Sequence, residues 1–272
     1  MSPIYVPGKV VLRKELPADA QADAYIAAVE AADGQALEPG VKFAIKNFVL
    51  CCKQDGIWNA IKASCILAGA RTLSGALVPL VGTAPTNNNF VSGDYDRKAG
   101  LKGNGINKAL GSNYLCSIAS ADSTHTSVFA SELVIDGSTQ IPVGGYMGTA
   151  LNAFEIQHGA TGVFNGFARA NWPFSTLTIA TGLSAVQRNS STSVQLRAGN
   201  QTYSATSSKA AGTLADIRLG IFARENNVSG PSSFGFNCKS RLAFYSIGES
   251  LNLTLLDARV TDLINAFAAA IP

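Results

Sequence analysis

Residues 216–224 read DIRLGIFAR. Ile217, Leu219 and Ile221 alternate with Arg218 and Gly220, the period-2 pattern of a strand with one buried face. Similar short runs surround it: SVFASELVI at 127–135, GVFNGFARA at 162–170, STLTIATGL at 175–183, TSVQLRAG at 192–199 and RLAFYSIG at 241–248. Turn chemistry separates them, in IDGST, VGG, HGATG, RNSST and AGN. Many short strands punctuated by Gly, Asn, Ser and Thr define a mainly β chain folded as a sandwich or barrel. No βαβ alternation occurs, which argues against a Rossmann or barrel enzyme.

Working outward, both flanks turn helical. From Pro17 to Ala32 an acidic, Pro-led start runs to a stop at Gly34, with Ala22, Tyr25, Ile26 and Val29 on one face. A second helix is expected over Glu38–Lys53, with Val41, Ile45, Phe48, Val49 and Cys52 at helical spacing, ended by Asp55-Gly56. Ile57, Trp58, Ile61 and Cys65 suggest a short third helical piece. A last helix is expected over Glu249–Ala270. There Leu253, Leu256, Val260, Leu263 and Phe267 follow an a/d spacing. That stripe can meet another copy as an oligomer interface or pack on the N-terminal helices of its own chain. Residues 1–16 carry Pro3 and Pro7 and read as an extended arm, docked on a neighbour or added to the chain's own sheet. The expected organisation is an arm at 1–16, a helical attachment region at 17–74, a β-sandwich at 75–248 and a C-terminal helix at 249–272.

Composition narrows the function. Only 14% of the 272 residues are charged, while 47% are hydrophobic, a surface suited to burial in a larger assembly. The net charge of +3 comes without a basic stripe, which argues against nucleic-acid binding. No run is long enough to span a bilayer and the start has no secretory h-region, so a protein made in the cytoplasm is expected. Five cysteines without a C-x-x-C read as buried thiols.

The motifs of chemistry fail on geometry. Glu155 and His158 form E-x-x-H, but in strand sequence the two side chains face opposite sides. Asp94 and Asp96 start a loop whose EF-hand positions five and six hold Lys98 and Ala99. Gly100, Gly103 and Gly105 lack the Lys-Ser/Thr of a P-loop. Glu132 and Asp136 on one strand would lie roughly 13 Å apart, too wide for glycoside hydrolysis. Glu132 with Glu155 is the remaining hydrolytic pair. Trp172 and Phe174, flanking Pro173, are candidate ligand contacts, an aromatic platform for a sugar, with core packing as the alternative. No catalytic, metal or cofactor residue is assigned.

Two segments carry a resemblance. AIKNFVLCCKQDGIWNAIKA at 44–63, followed by NNNFVSGDYDRKAGLKGNGINKAL at 87–110, resembles a recurring module of phage and prophage virion proteins with a concanavalin A-like, or laminin-G-like, jelly-roll sandwich. In that module a helix ending in K-x-x-GIW precedes the sandwich. The last strand, here Arg241 to Leu251, leads into a terminal helix. The resemblance covers about residues 37–265. It departs at Lys108-Ala109-Leu110, where an aromatic is usual, and the arm lies outside it. It implies an antiparallel jelly-roll with Trp58 and Gly248 as packing and turn residues. It also implies a non-enzymatic virion protein, most simply a homotrimeric tail fibre or tail appendage. Such a protein would bind other virion proteins and contact a host-surface glycan. The alternatives are a capsid cement protein bridging capsomers, and a carbohydrate-binding module or weak glycan hydrolase.

Overall fold

The computed structural model describes residues 3–6, 9–12, 16–146, 154–169, 174–208, 218–226 and 233–272. In chain order the strands are β1 (Pro3–Val6), β2 (Lys9–Leu12), β3 (Ile61–Ile66), β4 (Pro79–Val81), β5 (Thr86–Asn88), β6 (Tyr95–Asp96), β7 (Gly100–Lys102), β8 (Ala109–Leu115), β9 (Thr124–Glu132) and β10 (Gln140–Tyr146). They continue with β11 (Phe154–His158), β12 (Val163–Ala168), β13 (Phe174–Thr178), β14 (Gly182–Arg188), β15 (Ser193–Ala198), β16 (Gln201–Thr206), β17 (Arg218–Ile221), β18 (Arg224–Asn226), β19 (Phe234–Gly235) and β20 (Arg241–Gly248). The helices are α1 (Ala20–Asp33), α2 (Pro39–Gln54), α3 (Leu73–Ala76) and α4 (Leu253–Ala270).

Two nine-stranded sheets form the body among the described residues. The first runs β16-β15-β14-β9-β20-β3-β4, with β7 on β20 and β6 on β7. The second runs β13-β12-β11-β10-β17-β8-β5, with β18 beside β10 and β19 on β18. Pairing is antiparallel except for β10 with β18. This is the β-sandwich the alternating runs predict, with helices at both ends of the chain. Among the described residues, strands β1 and β2 pair only with each other, from Pro3↔Leu12 to Val6↔Lys9, so residues 3–6 and 9–12 are extended but join neither large sheet.

The apolar residues sort into two cores. Val128, Leu242, Tyr245, Ile156, Phe164 and Ile221 fill the space between the sheets. A second core lies on the outer face of the first sheet. There Phe129, Leu183 and Phe244 meet Ile45 and Phe48 of α2 and Leu256 and Phe267 of α4. The Phe48 and Phe244 rings meet edge-on at 5.8 Å. The molecule is therefore three layers deep, helices on sheet on sheet. The first sheet is buried on both faces, which is why RLAFYSIG reads as an almost continuous apolar run.

Local chemistry sets the helix ends. Asp19 accepts from the Gln21 and Ala22 amides, so α1 starts after Pro17, and Gly34 closes it at φ 70°. Asn252 accepts from Thr254 and Leu255, moving the start of α4 inward from Glu249. Lys42–Glu30, Lys46–Asp23 and Lys53–Asp19 tie α2 to α1, and Arg259 grips Asp55 with two bonds of 2.6 and 3.1 Å. Gly69, at φ 85°, has the Phe267 ring 2.7 Å from where a side chain would begin. Among the described residues no helix is long and apolar enough to cross a membrane.

The structure corrects the third helical piece. Only a single 3-10 turn forms, Trp58–Ala60. Ile61 and Cys65 belong to β3, which lies between β20 and β4 in the first sheet, with Cys65 opposite Tyr245. A run this short satisfies either period, and pairing with β20 decides it. The sheet thus begins at Ile61, inside the stretch expected to be helical, and α1 and α2 share a core with it.

The a/d stripe of α4 is occupied within the chain. Leu253, Leu256, Val260, Leu263 and Phe267 are each 0–2% exposed, packed with α2 and the first sheet. No part of that stripe is open to another copy in this fold. Leu256→Ala is expected to lower stability by about 2–5 kcal/mol through cavity formation. The mass from light scattering should not change, and urea unfolding would measure the loss.

Candidate functional site

The helices cover the outer face of the first sheet, and among the described residues no helix lies on the outer face of the second. Register builds a row of residues there. Gly144 of β10 lies between Arg224 of β18 and Glu155 of β11, and Glu155 pairs onward with Phe167 of β12. Gly144 is needed in that row, because a Cβ would meet the Glu155 Cβ at 2.7 Å. Across this gap Arg224 Nη1 reaches Glu155 Oε2 at 3.8 Å. Arg224 Nε also donates to Asn226 Oδ1 at 2.8 Å. Gln157 Nε2 donates to Glu155 Oε1 at 2.5 Å. Burial pushes the Glu155 carboxyl above the usual carboxylate range.

Two aromatic rings complete the arrangement. The Arg224 guanidinium lies over the Tyr146 ring at 4.5 Å and over the Phe236 ring at 4.4 Å. Phe236 has two unusual properties. It is 48% exposed, and its backbone is left-handed at φ 56°. A bulky aromatic in that region is strained by about 1–3 kcal/mol and persists only where its surroundings over-determine it. Here the Phe236 carbonyl accepts from Ile141 N at 2.9 Å. On its C-terminal side Asn237 Nδ2 donates to the Lys108 carbonyl, and Lys239 N donates to Gln140 Oε1. The backbone is pinned on both sides while the ring stays in solvent. A half-exposed ring held flat by a guanidinium can stack on a ligand ring, while the buried Glu155 carboxyl beneath positions Arg224.

The residues singled out in the sequence fall elsewhere. Trp172 lies outside the described residues. Phe174 opens β13 opposite Gly166, and its side chain is likewise outside the description. Glu132, at the end of β9, pairs with Lys102 and with Arg241 at 3.6 Å. Asp136 lies beyond β9, bound to Lys239, Ser138 and Gln140, and its carboxyl is held far below the usual range, chiefly by Lys239. Asp94 pairs with Lys108 and accepts from Val91 N, while Asp96 accepts from the Lys98 and Ala99 amides. These carboxylates close turns and neutralise cations. Glu155 joins the Arg224 cluster and not Glu132.

His125 and His158 are both 2% exposed. His125 Nε2 lies 2.8 Å from Ser246 Oγ, and its Nδ1 lies 2.5 Å from the Glu249 carbonyl, the separations of a nucleophile and base. Ser246 is 0% exposed, so no substrate reaches it and the pair works as a cross-strand hydrogen bond between β9 and β20 of the first sheet. His158 faces Ser184 across the sandwich at 3.5 Å. Burial lowers both imidazoles to about 4. Among the described residues no group of three His, Cys, Asp or Glu could hold a metal ion. All five cysteines are free, and burial pushes the thiols of Cys65 and Cys116 up to about 12.

Sequence reasoning missed Phe236, Arg224 and Tyr146. Tyr146 is far from the other two in the chain, and the β10–β18 and β18–β19 pairings bring the three together. The usable signal was an aromatic pair, Phe234 and Phe236, in a stretch rich in Gly, Ser and Asn.

No family model matches the chain, and no curated protein matches its sequence. Solved structures resemble it at low identity. One is a mutant of Trypanosoma rangeli sialidase displaying trans-sialidase activity, with TM-score 0.45 and 10% identity, covering 81% of this chain and 39% of that one. Another is the botulinum neurotoxin serotype D binding domain, with TM-score 0.46 and 9% identity, covering 75% and 50%. A third is the full-length tailspike protein 2 from an Escherichia coli O157:H7 bacteriophage, with TM-score 0.36 and 13% identity, covering 64% and 25%. The chain therefore spans half or less of each of these three structures.

Proposed function

We propose that this chain is a binding protein of a phage virion, a tail fibre or tail appendage that contacts a host-surface glycan through the half-exposed Phe236 beside the second sheet. The observation that carries the binding reading is Phe236, strained, half-exposed and held by Arg224 beside a sheet face that no helix among the described residues covers. The virion assignment draws on the resemblance of residues 44–63 and 87–110 and on the low charge content of the chain. A non-enzymatic role is supported by the closure of the His125–Ser246 pair and by the cation partners of Glu132 and Asp136. Assembly as a homotrimer would use surfaces other than the α4 stripe.

The test is binding of the purified protein to whole bacteria and to a panel of envelope polysaccharides. Phe236→Ala is expected to weaken binding at least tenfold, equivalent to about 1.4 kcal/mol, while the melting temperature changes little, because alanine keeps the Cβ that strains the left-handed backbone and only a half-exposed ring is lost. Unchanged binding by a folded Phe236→Ala variant would sink this site. Light scattering of the full chain tests the trimer.

A further inference from the structure

A second cleft opens at one end of the sandwich, away from the row around Glu155. It encloses about 260 Å³, below the size of drug pockets and suited to one small ring. Both sheets contribute to it. Lys62 comes from β3 of the first sheet, Ser112, Asn113 and Tyr114 from β8 of the second, and Glu249 follows β20.

The cleft is pre-formed. Asn113 is left-handed at φ 58°, and its amide donates to the Ala84 carbonyl at 2.8 Å and to Thr86 Oγ1 at 3.1 Å. Gly82, at φ 84°, passes so close to β3 that a Cβ would meet the Lys62 carbonyl at 2.6 Å. Tyr114 is 8% exposed, anchored in the core between the sheets, and burial pushes its hydroxyl up to about 12, so it stays neutral. Ile118 stands at the lip, 68% exposed.

The charges define the ligand. Lys62 Nζ and Glu249 Oε1 are 3.3 Å apart, with side chains 42% and 52% exposed. A pair this exposed is worth at most about 1 kcal/mol, so a ligand can open it at little cost. An anion would gain Lys62 and be repelled by Glu249, and a cation the reverse. Two neighbouring hydroxyls satisfy both, one donating to the carboxylate and the other accepting from the ammonium. The remaining lining of Ser, Thr and Asn groups suits further hydroxyls, and the exposed Ile118 at the lip suits the apolar face of a ring.

We infer that this cleft is a second binding site, for a single neutral saccharide ring that presents vicinal hydroxyls to the Lys62–Glu249 pair. It is independent of the Phe236 face, and the two sites fail separately. The experiment is a titration of the full-length, isotope-labelled protein with glucose, galactose and N-acetylglucosamine, followed by amide chemical shifts. Acetate and methylamine serve as charged comparisons. At least one sugar is expected to shift the amides of Lys62, Asn113 and Glu249 with a millimolar dissociation constant. Ser120→Trp, at an exposed lip position, should fill the cleft and abolish those shifts, while Phe236→Ala should leave them intact. No shift at these amides up to about 0.1 M sugar, a dissociation free energy weaker than about 1.4 kcal/mol, overturns the proposal. So do shifts that persist in Ser120→Trp, or tighter binding of either charged probe than of every sugar.

Discussion

Replacing Arg188 with Met is expected to destabilise the protein by about 3–5 kcal/mol, the largest loss from any single side chain outside the apolar cores. Arg188 closes β14 and is 0% exposed. Its guanidinium donates to five backbone carbonyls: Ala168 at 2.8 Å, Arg169 at 3.3 Å, Ser190 at 3.3 Å, Ser191 at 3.2 Å and Ser207 at 2.8 Å. These carbonyls come from the end of β12, the β14–β15 turn and the chain after β16, so one planar fork ties both sheets together at this end. Burial lowers the Arg188 pKa, and the charge of Asp122 offsets part of that. Methionine would keep much of the volume but leave buried acceptors without donors. Arg188→Lys should recover only part of the loss, because an ammonium has three donors and no planar fork. Urea midpoints of the three proteins would measure this. A Met variant within about 0.5 kcal/mol of the parent would show that the carbonyls find water instead.

Acidification from pH 6.5 to pH 4 is expected to remove about 3 kcal/mol of stability for each of His125 and His158. Burial lowers both imidazoles from 6.5 to about 4 in the folded chain. The unfolded chain therefore binds more protons throughout that window, and stability falls as pH falls. Glu155 acts in the opposite sense. Its carboxyl is raised by burial, so the folded chain holds that proton more tightly and gains on acidification. It is one group against two. The carboxylates lowered by cation partners, Glu38 beside Arg97 and Glu132 beside Lys102 among them, lose their contribution only near and below pH 4.5. Urea midpoints measured from pH 7.5 to 4.5 should fall steadily. His158→Phe should halve the slope, since His158 has one long contact at 3.5 Å and an unbonded Nδ1. A flat profile would show that the imidazoles are not sequestered as drawn.

The strands were legible because their faces differ. Ile217, Leu219 and Ile221 alternate with Arg218 and Gly220, and Leu219 and Ile221 are indeed in the core while Arg218 is exposed. The helices were legible from their ends and faces: Pro17, the acidic start and Gly34 for α1, and the Val41–Cys52 face with the Asp55-Gly56 stop for α2. The stretch at Ile57–Cys65 was misread because its apolar spacing fits both periods. Only its pairing with β20, 180 residues away at the Tyr245–Cys65 contact, makes it a strand.

By itself the sequence determined the fold class, the helical ends and the failure of each familiar catalytic spacing, because those depend on local periodicity and on neighbours within a few residues. It determined that the α4 stripe would be buried, but not by what. The tertiary structure decided that the stripe is covered by α2 and the first sheet. It also decided that, among the described residues, the helices pack on one sheet only, and that Tyr146, Arg224 and Phe236 meet on the other beside Glu155. These contacts join residues up to 90 positions apart. Their positions follow from strand order and register, which are set by the packing of the whole sandwich and leave no mark on any short stretch of chain.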